Sequence, residues 1–455
     1  MNEKLTLTCY GGVGVVTGAN FLLENKNKKI LIDCGLRQGD RFGEEENYEN
    51  FPYKPESIDL LFITHAHMDH IGRIPKLIKD GFRGIIYSTR ETKLLAEVMF
   101  ADAVSLLRRE ASERKIEPLY EEKDVKKSLS LWNEISYRVE KDLGNGFRVY
   151  LKDAGHILGS SMVEIRFNNK KILFTGDLGN SPAPLLNDTE SSEGADYLLM
   201  ESVYGDRNHE THEERNIRFV NVIKKTISSG GAIVIPAFSL ERTQNILYTL
   251  NNLIEDKKIS SIPVFVDSPL ASRVTEIYKK EQQNFKGDIK QEIGEGDDIF
   301  NFPKLQFTVS KDESDDIEKT TNPKIILAGS GMSAGGRVTK HEKNYLTDPR
   351  STILLVGYQS IGTLGRKLLE GEKKVFIEGR NYRVKANIEN IMGFSSHKDS
   401  DHLIEFVEKC SKTVKKVFVT MGEPKASSFL AQRLRDYLGV DAILPEKGKS
   451  YELEF

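Results

Sequence analysis

The sequence predicts an α/β fold, and two observations carry the prediction. Up to about residue 200 and again from about Asn387, short β-like runs mix with turns and helices. From about Glu201 to Arg383 the texture is a regular strand–helix alternation. Strand runs with helices between or after them predict sheets covered by helices.

The elements follow in order. Leu5-Thr6-Leu7-Thr8, Asn20-Phe21-Leu22-Leu23, Lys29-Ile30-Leu31-Ile32 and Leu60-Leu61-Phe62-Ile63 read as strands. Helices are expected from about Thr92 to Ser112 and from Glu121 to Trp132. Strands resume at Phe147-Arg148-Val149-Tyr150, Met162-Val163-Glu164-Ile165 and Lys171-Ile172-Leu173-Phe174. In the middle region Ala232-Ile233-Val234-Ile235 precedes a helix at about Ser239 to Leu253. Pro263-Val264-Phe265-Val266 precedes one near Pro269 to Glu281. Lys324-Ile325-Ile326-Leu327 precedes a glycine-rich turn and a helix from about Gly336. Ile353-Leu354-Leu355-Val356 precedes a helix near Thr363 to Leu369. Continuous apolar strands separated by helices predict a parallel sheet. The polar, glycine-containing stretch Lys286 to Asp298 reads as a surface loop.

Composition narrows the class. The 455 residues are 38% hydrophobic and 29% charged, as in a soluble globular chain of two or three domains. No apolar run reaches the roughly 18 residues of a membrane helix. Met1 to Leu5 leads directly into strand-like sequence, without a signal peptide's apolar stretch. Cys9, Cys34 and Cys410 are scattered and odd in number, which fits a reducing cytoplasm and argues against disulfides or a cysteine zinc site. The net charge of −3 neither supports nor excludes a nucleic-acid substrate, because only the contacting groove must be basic.

The chemistry concentrates at His65-Ala66-His67-Met68-Asp69-His70, which follows the strand Leu60 to Ile63. His65 and His67 are two apart, so an extended backbone puts both imidazoles on one side. Asp69 and His70 then fall at the start of a short helix. Three histidines and a carboxylate within six residues suffice to engage two zinc ions. Asp33, His156, Asp177 and His397 lie at or beyond the ends of other β-like runs. Their convergence on one edge is how an α/β scaffold assembles a site.

Those residues, in that order, resemble the metallo-β-lactamase fold. Glu201-Ser202-Val203-Tyr204-Gly205-Asp206-Arg207 resembles the acidic motif opening a β-CASP insertion. Pro236-Ala237-Phe238-Ser239-Leu240-Glu241-Arg242-Thr243-Gln244, Gly329-Ser330-Gly331-Met332, His341 and Phe394-Ser395-Ser396-His397-Lys398-Asp399 are similar to later β-CASP motifs. The chain thus resembles, over nearly its whole length, bacterial and archaeal ribonucleases related to the endonuclease subunit of mRNA 3′-end cleavage. The resemblance implies a four-layer αββα sandwich with an inserted parallel-sheet β-CASP domain. The domains would be 1–200, 201–386 and 387–455, the first and last forming one unit. It implies one zinc held by His65, His67, His156 and Asp177, and a second by Asp69, His70, Asp177 and His397. Asp177 would bridge the ions, and Asp33 would fix a ligand histidine or loop from behind. Zinc is the expected metal, and manganese in its place is compatible with donors that mix oxygen and nitrogen.

The implied reaction is hydrolysis of RNA phosphodiester bonds, endonucleolytic, with 5′-3′ exonuclease action left open. It needs a hydroxide nucleophile at neutral pH, which two metal ions supply, and an acid for the leaving oxygen. His341 is the expected acid, oriented by Glu201, which would raise its proton affinity; Asp69 is a further catalytic candidate. A glycine-rich turn after a strand presents N–H groups to phosphate, so Ser330 and Gly331 are expected RNA contacts. Arg242 could pair with a phosphate; Ser239, Ser395 and Ser396 complete that set. In the family, histidine at the position of His397 goes with RNA rather than DNA substrates. Similar sequences carry histidine at Met421 and threonine at Val203; with His397 as a ligand, Met421 costs the site no donor. Single-stranded RNA is the expected partner, with no membrane, in the cytoplasm; monomer and homodimer both fit. The alternatives are a small-molecule metallohydrolase of thioesterase or lactonase type and a non-catalytic RNA-binding subunit. The long insertion argues against the first, and the intact ligand set against the second.

Overall fold

A computed structural model describes residues 4–39 and 41–455, so Met1 to Glu3 lie outside the described residues. The chain forms two compact units, residues 1–208 with 397–455, and residues 209–396.

In the first unit one seven-stranded sheet runs in the order Ser450–Glu454, Lys4–Cys9, Phe21–Glu24, Lys29–Ile32, Leu60–Phe62, Ile85–Ser88, Trp132–Glu134. The second runs Ala442–Ile443, Lys416–Val419, Tyr197–Met200, Lys170–Phe174, Ser161–Phe167, Phe147–Asp153, Glu140–Gly144. Each is antiparallel on one side and parallel on the other. The parallel pairing starts at Lys29–Ile32 beside Leu60–Phe62, and at Lys170–Phe174 beside Tyr197–Met200. Period-two patterning aims one face of each sheet at the other. Leu5, Leu7, Phe21, Leu23 and Phe62 thereby share a core with Val149, Val163, Ile165, Phe174, Leu199 and Phe418. The outer face of the second sheet, with Leu173, Leu198 and Val417, packs on Leu403 and Val407 of helix Ser400–Glu408 and on Leu430 and Leu434 of helix Pro424–Leu438. On the first sheet's outer side, helix Arg90–Arg114 lies against strand Trp132–Glu134 and helix Glu122–Ser130. The Thr89 side chain caps that long helix by accepting from the Thr92 N–H. The layers are therefore αββα, the sandwich expected.

The second unit is built on six parallel strands in the order Leu305–Phe307, Val264–Asp267, Lys324–Ala328, Ala232–Pro236, Thr352–Leu355, Asn387–Asn390. Two expectations change here. Lys286 to Asp298 is not wholly loop: Gly287–Gly294 is a helix, anchored by buried Ile289. A single anchor in a polar segment leaves too little periodicity to read. The division between units also falls later than 201 and 387. Asn387–Asn390 pairs with Thr352–Leu355 as an edge strand of the second unit's sheet, and so belongs to that unit rather than to the C-terminal part.

Candidate metal centre

The parallel strands of the first unit end at one edge, where ligands of open α/β sheets gather. Ile32 is followed by Asp33, Phe62 by Ile63-Thr64-His65, Phe174 by Thr175-Gly176-Asp177, and Met200 by Glu201. Two glycines permit the close approach. At Gly35 a Cβ would meet the Asp69 carbonyl oxygen at 1.5 Å, and at Gly176, with φ +53°, it would meet the Thr64 side chain at 2.6 Å.

Asp177 is the hub. Its Oδ2 lies 3.4 Å from His65 Nε2 and 3.5 Å from His156 Nε2, and its Oδ1 lies 3.3 Å from His70 Nε2. His67 Nδ1 stands 3.0 Å from His65 Nε2 and 3.3 Å from His156 Nε2. Donor atoms of His65, His67, His156 and Asp177 all lie within 4.8 Å of one another. Asp69 reaches the other side, its Oδ2 3.9 Å from His70 Nε2. His67 is the extended residue before helix Met68–Ile71, which carries Asp69 and His70.

Carboxylates stand behind two of the histidines. Asp33 Oδ2 is 2.7 Å from His70 Nδ1, and both Asp33 oxygens accept from Thr64, one from its N–H and one from its hydroxyl, at 2.8 Å. Glu201 holds His397: its two oxygens lie 3.1 and 3.2 Å from His397 Nδ1, and Oε1 also accepts from the Leu178 N–H at 2.6 Å. A carboxylate on one imidazole nitrogen fixes the tautomer and aims the other.

Electrostatics follow burial. Burial, with His65 beside it, holds the His67 imidazole well below its ordinary pKa. Burial and His397 do the same to His156, and burial and His70 lower His65. These three rings are neutral, as ligation requires. Burial works against a charged His70, but Asp177 and Asp33 outweigh it and raise its pKa well above normal. Burial pushes Asp69 up to about 6 and raises Glu201 against the pull of His397. At the centre His70 Nε2 and Asp177 Oδ1 are buried, 3.3 Å apart, and neither makes a hydrogen bond of good geometry. Neutral imidazoles, a central carboxylate and two orphaned atoms facing each other fit divalent metal ions.

His341 belongs to the second unit. It is fully buried on helix Arg337–Tyr345, and its Nε2 is 2.7 Å from Asp267 Oδ2. The expectation that Glu201 orients His341 is therefore corrected: Glu201 is committed to His397, and Asp267 holds His341. Sequence reasoning missed Asp267 and Thr64. Asp267 ends the strand Val264–Asp267, the signal that found Asp33 and Asp177. Among the expected RNA contacts, Arg242 is buried at the start of helix Arg242–Glu255, so close to Gly357 that a Cβ there would meet Nη1 at 2.1 Å. Ser239 is half-buried beside Ser268, with hydroxyls 3.3 Å apart. Ser330 accepts from the Met332 and Ala334 N–H groups at 3.4 and 3.3 Å. Gly331 is buried against Phe238, whose backbone nitrogen a Cβ would meet at 2.8 Å. Ser395 is buried and Ser396 half-buried, directly before His397.

Such a sandwich, with a histidine-rich cluster at its strand ends, defines a metal-dependent hydrolase. The chain belongs to the β-CASP family within the metallo-β-lactamase superfamily. The pattern described as "Metallo-beta-lactamase superfamily" matches residues 13–206 and "Beta-Casp domain" matches 243–368. "Zn-dependent metallo-hydrolase RNA specificity domain" matches 381–445. It is 34% identical to Ribonuclease TTHA0252 of Thermus thermophilus, over 88% of this chain and 90% of that protein. It is 30% identical to Transcription termination factor FttA of Methanosarcina mazei, over 97% of this chain and 70% of that protein. The crystal structure of a protein of unknown function from Enterococcus faecalis V583 shares the fold, with a TM-score of 0.57 at 15% identity, covering 99% of this chain and 100% of that one. No described helix is long and apolar enough to cross a membrane.

Proposed function

We propose that the chain is a metal-dependent ribonuclease that hydrolyses single-stranded RNA at the Asp177 centre, with two zinc ions as its resident metals. One observation carries the reading: three imidazole nitrogens lie within 3.5 Å of the two oxygens of a single buried carboxylate. His65, His67, His156 and Asp177 would hold one ion, and Asp69, His70 and Asp177 the other. Bound there, the ions would lower the pKa of a water and shield phosphate charge.

This chain's residues supply the rest. Asp33 and Thr64 lock His70 in orientation. His397 is more open to solvent than His70, the other cluster histidine backed by a carboxylate: its side chain is 19% exposed, against 1%. With Nδ1 held by Glu201, it can keep a proton on Nε2 for the leaving oxygen, the role expected of His341. Arg242 and the Ser330-Gly331 turn are proposed RNA contacts. Three buried free cysteines support a reducing, cytoplasmic setting.

The test is cleavage of 5′-labelled single-stranded RNA carrying monophosphate, triphosphate or hydroxyl ends, with and without chelator, beside His67→Ala. Metal-dependent cleavage lost in the variant supports the reading. Internal products would mark endonuclease action, and a ladder from the 5′ end exonuclease action. Equal cleavage by wild type and variant would sink it, and so would an ester panel turned over faster than RNA.

A further inference from the structure

The parallel-paired strands of the first unit include Lys29–Ile32, Leu60–Phe62, Lys170–Phe174, Tyr197–Met200 and Lys416–Val419. Four deliver a side chain of the cluster within three residues of their last position: the metal donors His65 and Asp177, and the supporting carboxylates Asp33 and Glu201. The fifth, Lys416–Val419, pairs in parallel with Tyr197–Met200, Val419 opposite Met200, and delivers Met421. Met421 is level with the site: its carbonyl accepts from the Ser202 N–H at 3.2 Å and its N–H donates to the Gly12 carbonyl at 2.7 Å. Its φ is +46°, a left-handed conformation that Asn, Asp and His adopt far more readily than other side chains. Its side chain is buried in the inter-sheet core with Phe21, and a Cβ on Gly12 would meet its Sδ at 2.4 Å. A soft thioether there is a poor substitute for nitrogen or oxygen at a zinc site.

The donors divide unequally around Asp177. On the Oδ2 side His65, His67 and His156 complete a four-donor set within 4.8 Å. On the Oδ1 side stand His70 Nε2 at 3.3 Å and Asp69, whose Oδ2 is 3.9 Å from that nitrogen. His397, Glu201 and Asp177 also each bring a donor atom within 4.8 Å of one another, but there His397 Nδ1 is taken by Glu201, 3.1 Å away. We infer that the two metal positions are unequal: the four-donor position keeps its ion, while the Asp69–His70–Asp177 position is one donor short at Met421 and exchanges its ion with solution. This rests on the ligand assignment proposed above. Its consequence is an enzyme with a resident ion and a second ion supplied by the surrounding metal concentration.

The experiment uses the full chain, saturated with zinc chloride and dialysed against metal-free buffer. Ions per chain are counted by elemental analysis, and reloading is followed by titration calorimetry. One ion is expected to stay, with the second rebinding at least about 100-fold more weakly, the scale on which altered metal surroundings act. Met421→His is expected to retain two ions. His70→Asn is expected to erase only the weak event, and it keeps the test decisive if the histidine variant misfolds. Two ions held equally by the wild type would overturn the inference. So would a folded Met421→His variant whose weak event is unchanged, or loss of the tight event in His70→Asn. A wild type that binds no zinc at all would sink the metal reading itself, a separate and recognisable failure.

Discussion

Asp177 and Asp267 occupy equivalent places, just at or past the end of a buried parallel strand, one in each unit. Asp267 is satisfied: Thr308 and Ser314 donate hydroxyls at 2.7 Å, Arg337 donates at 2.7 Å, and His341 Nε2 lies at 2.7 Å. Those bonds outweigh burial and hold its carboxyl well below the ordinary range. Asp177 is ringed by imidazoles, yet its Oδ1 and the facing His70 Nε2 have no hydrogen bond. The same topology yields a fully bonded carboxylate in one unit and, in the other, one with an oxygen that accepts no hydrogen bond. The difference teaches that a buried strand-end carboxylate is evidence of chemistry only where one of its own oxygens remains to be bound.

The largest effect should come from taking the charge out of the second kind of cluster. Asp177→Asn is expected to abolish RNA cleavage and to empty both metal positions, read by gel assay and elemental analysis on the same preparation. Wild-type metal content in that variant would break the contrast with Asp267. Next in size is the proton carrier. His397→Ala should lower kcat about 10²- to 10⁴-fold, the usual contribution of a general acid, with metal content unchanged. Glu201→Gln, which acts through His397, should cost about 10- to 100-fold. Loss of an ion from His397→Ala would instead make that histidine a ligand.

How much of this was legible in the sequence differs between the two clusters. His65 to His70 is a local pattern, set by strand period and the start of one helix. Asp33, His156 and Asp177 stood out because each follows a β-like run. Pairing was not legible. Glu201 and His397 are 196 positions apart, and His341 and Asp267 are 74 apart. Nothing in one chain says which of two histidines a distant carboxylate will meet. The meaning of Met421 was hidden for the same reason: it depended on which partner His397 takes. The insertion's parallel sheet was readable from its apolar strands, whereas helix Gly287–Gly294, with one buried anchor, was not.

His341→Ala sharpens the comparison from the Asp267 side. It leaves Asp267 buried with one partner fewer, so stability should fall by about 3 kcal/mol. Turnover of RNA by the protein that remains folded should not change. Denaturant melts and kcat on one preparation measure both. A kcat loss without a stability loss would return His341 to the chemistry.

The smallest effect concerns the neighbour of His341. Glu342 is fully buried, and neither of its oxygens has a hydrogen-bond partner. Burial pushes its carboxyl up to about 7, outweighing the opposite pull of the nearby Ser333 hydroxyl. An unfolded chain releases that proton near 4.5. Between those values the folded state binds a proton that the unfolded state has lost, so stability falls as pH rises through the window. Above about 7 the full penalty stands. Glu342→Gln carries no such proton and should escape it. From pH 5 to pH 8 the wild type should lose roughly 2 kcal/mol more than the variant, by the conversion of pKa shift to free energy. Parallel losses in the two proteins would mean that the carboxyl is solvated or paired. The second unit would then hold no unsatisfied acid at this position, and the contrast with the metal centre would be stronger still.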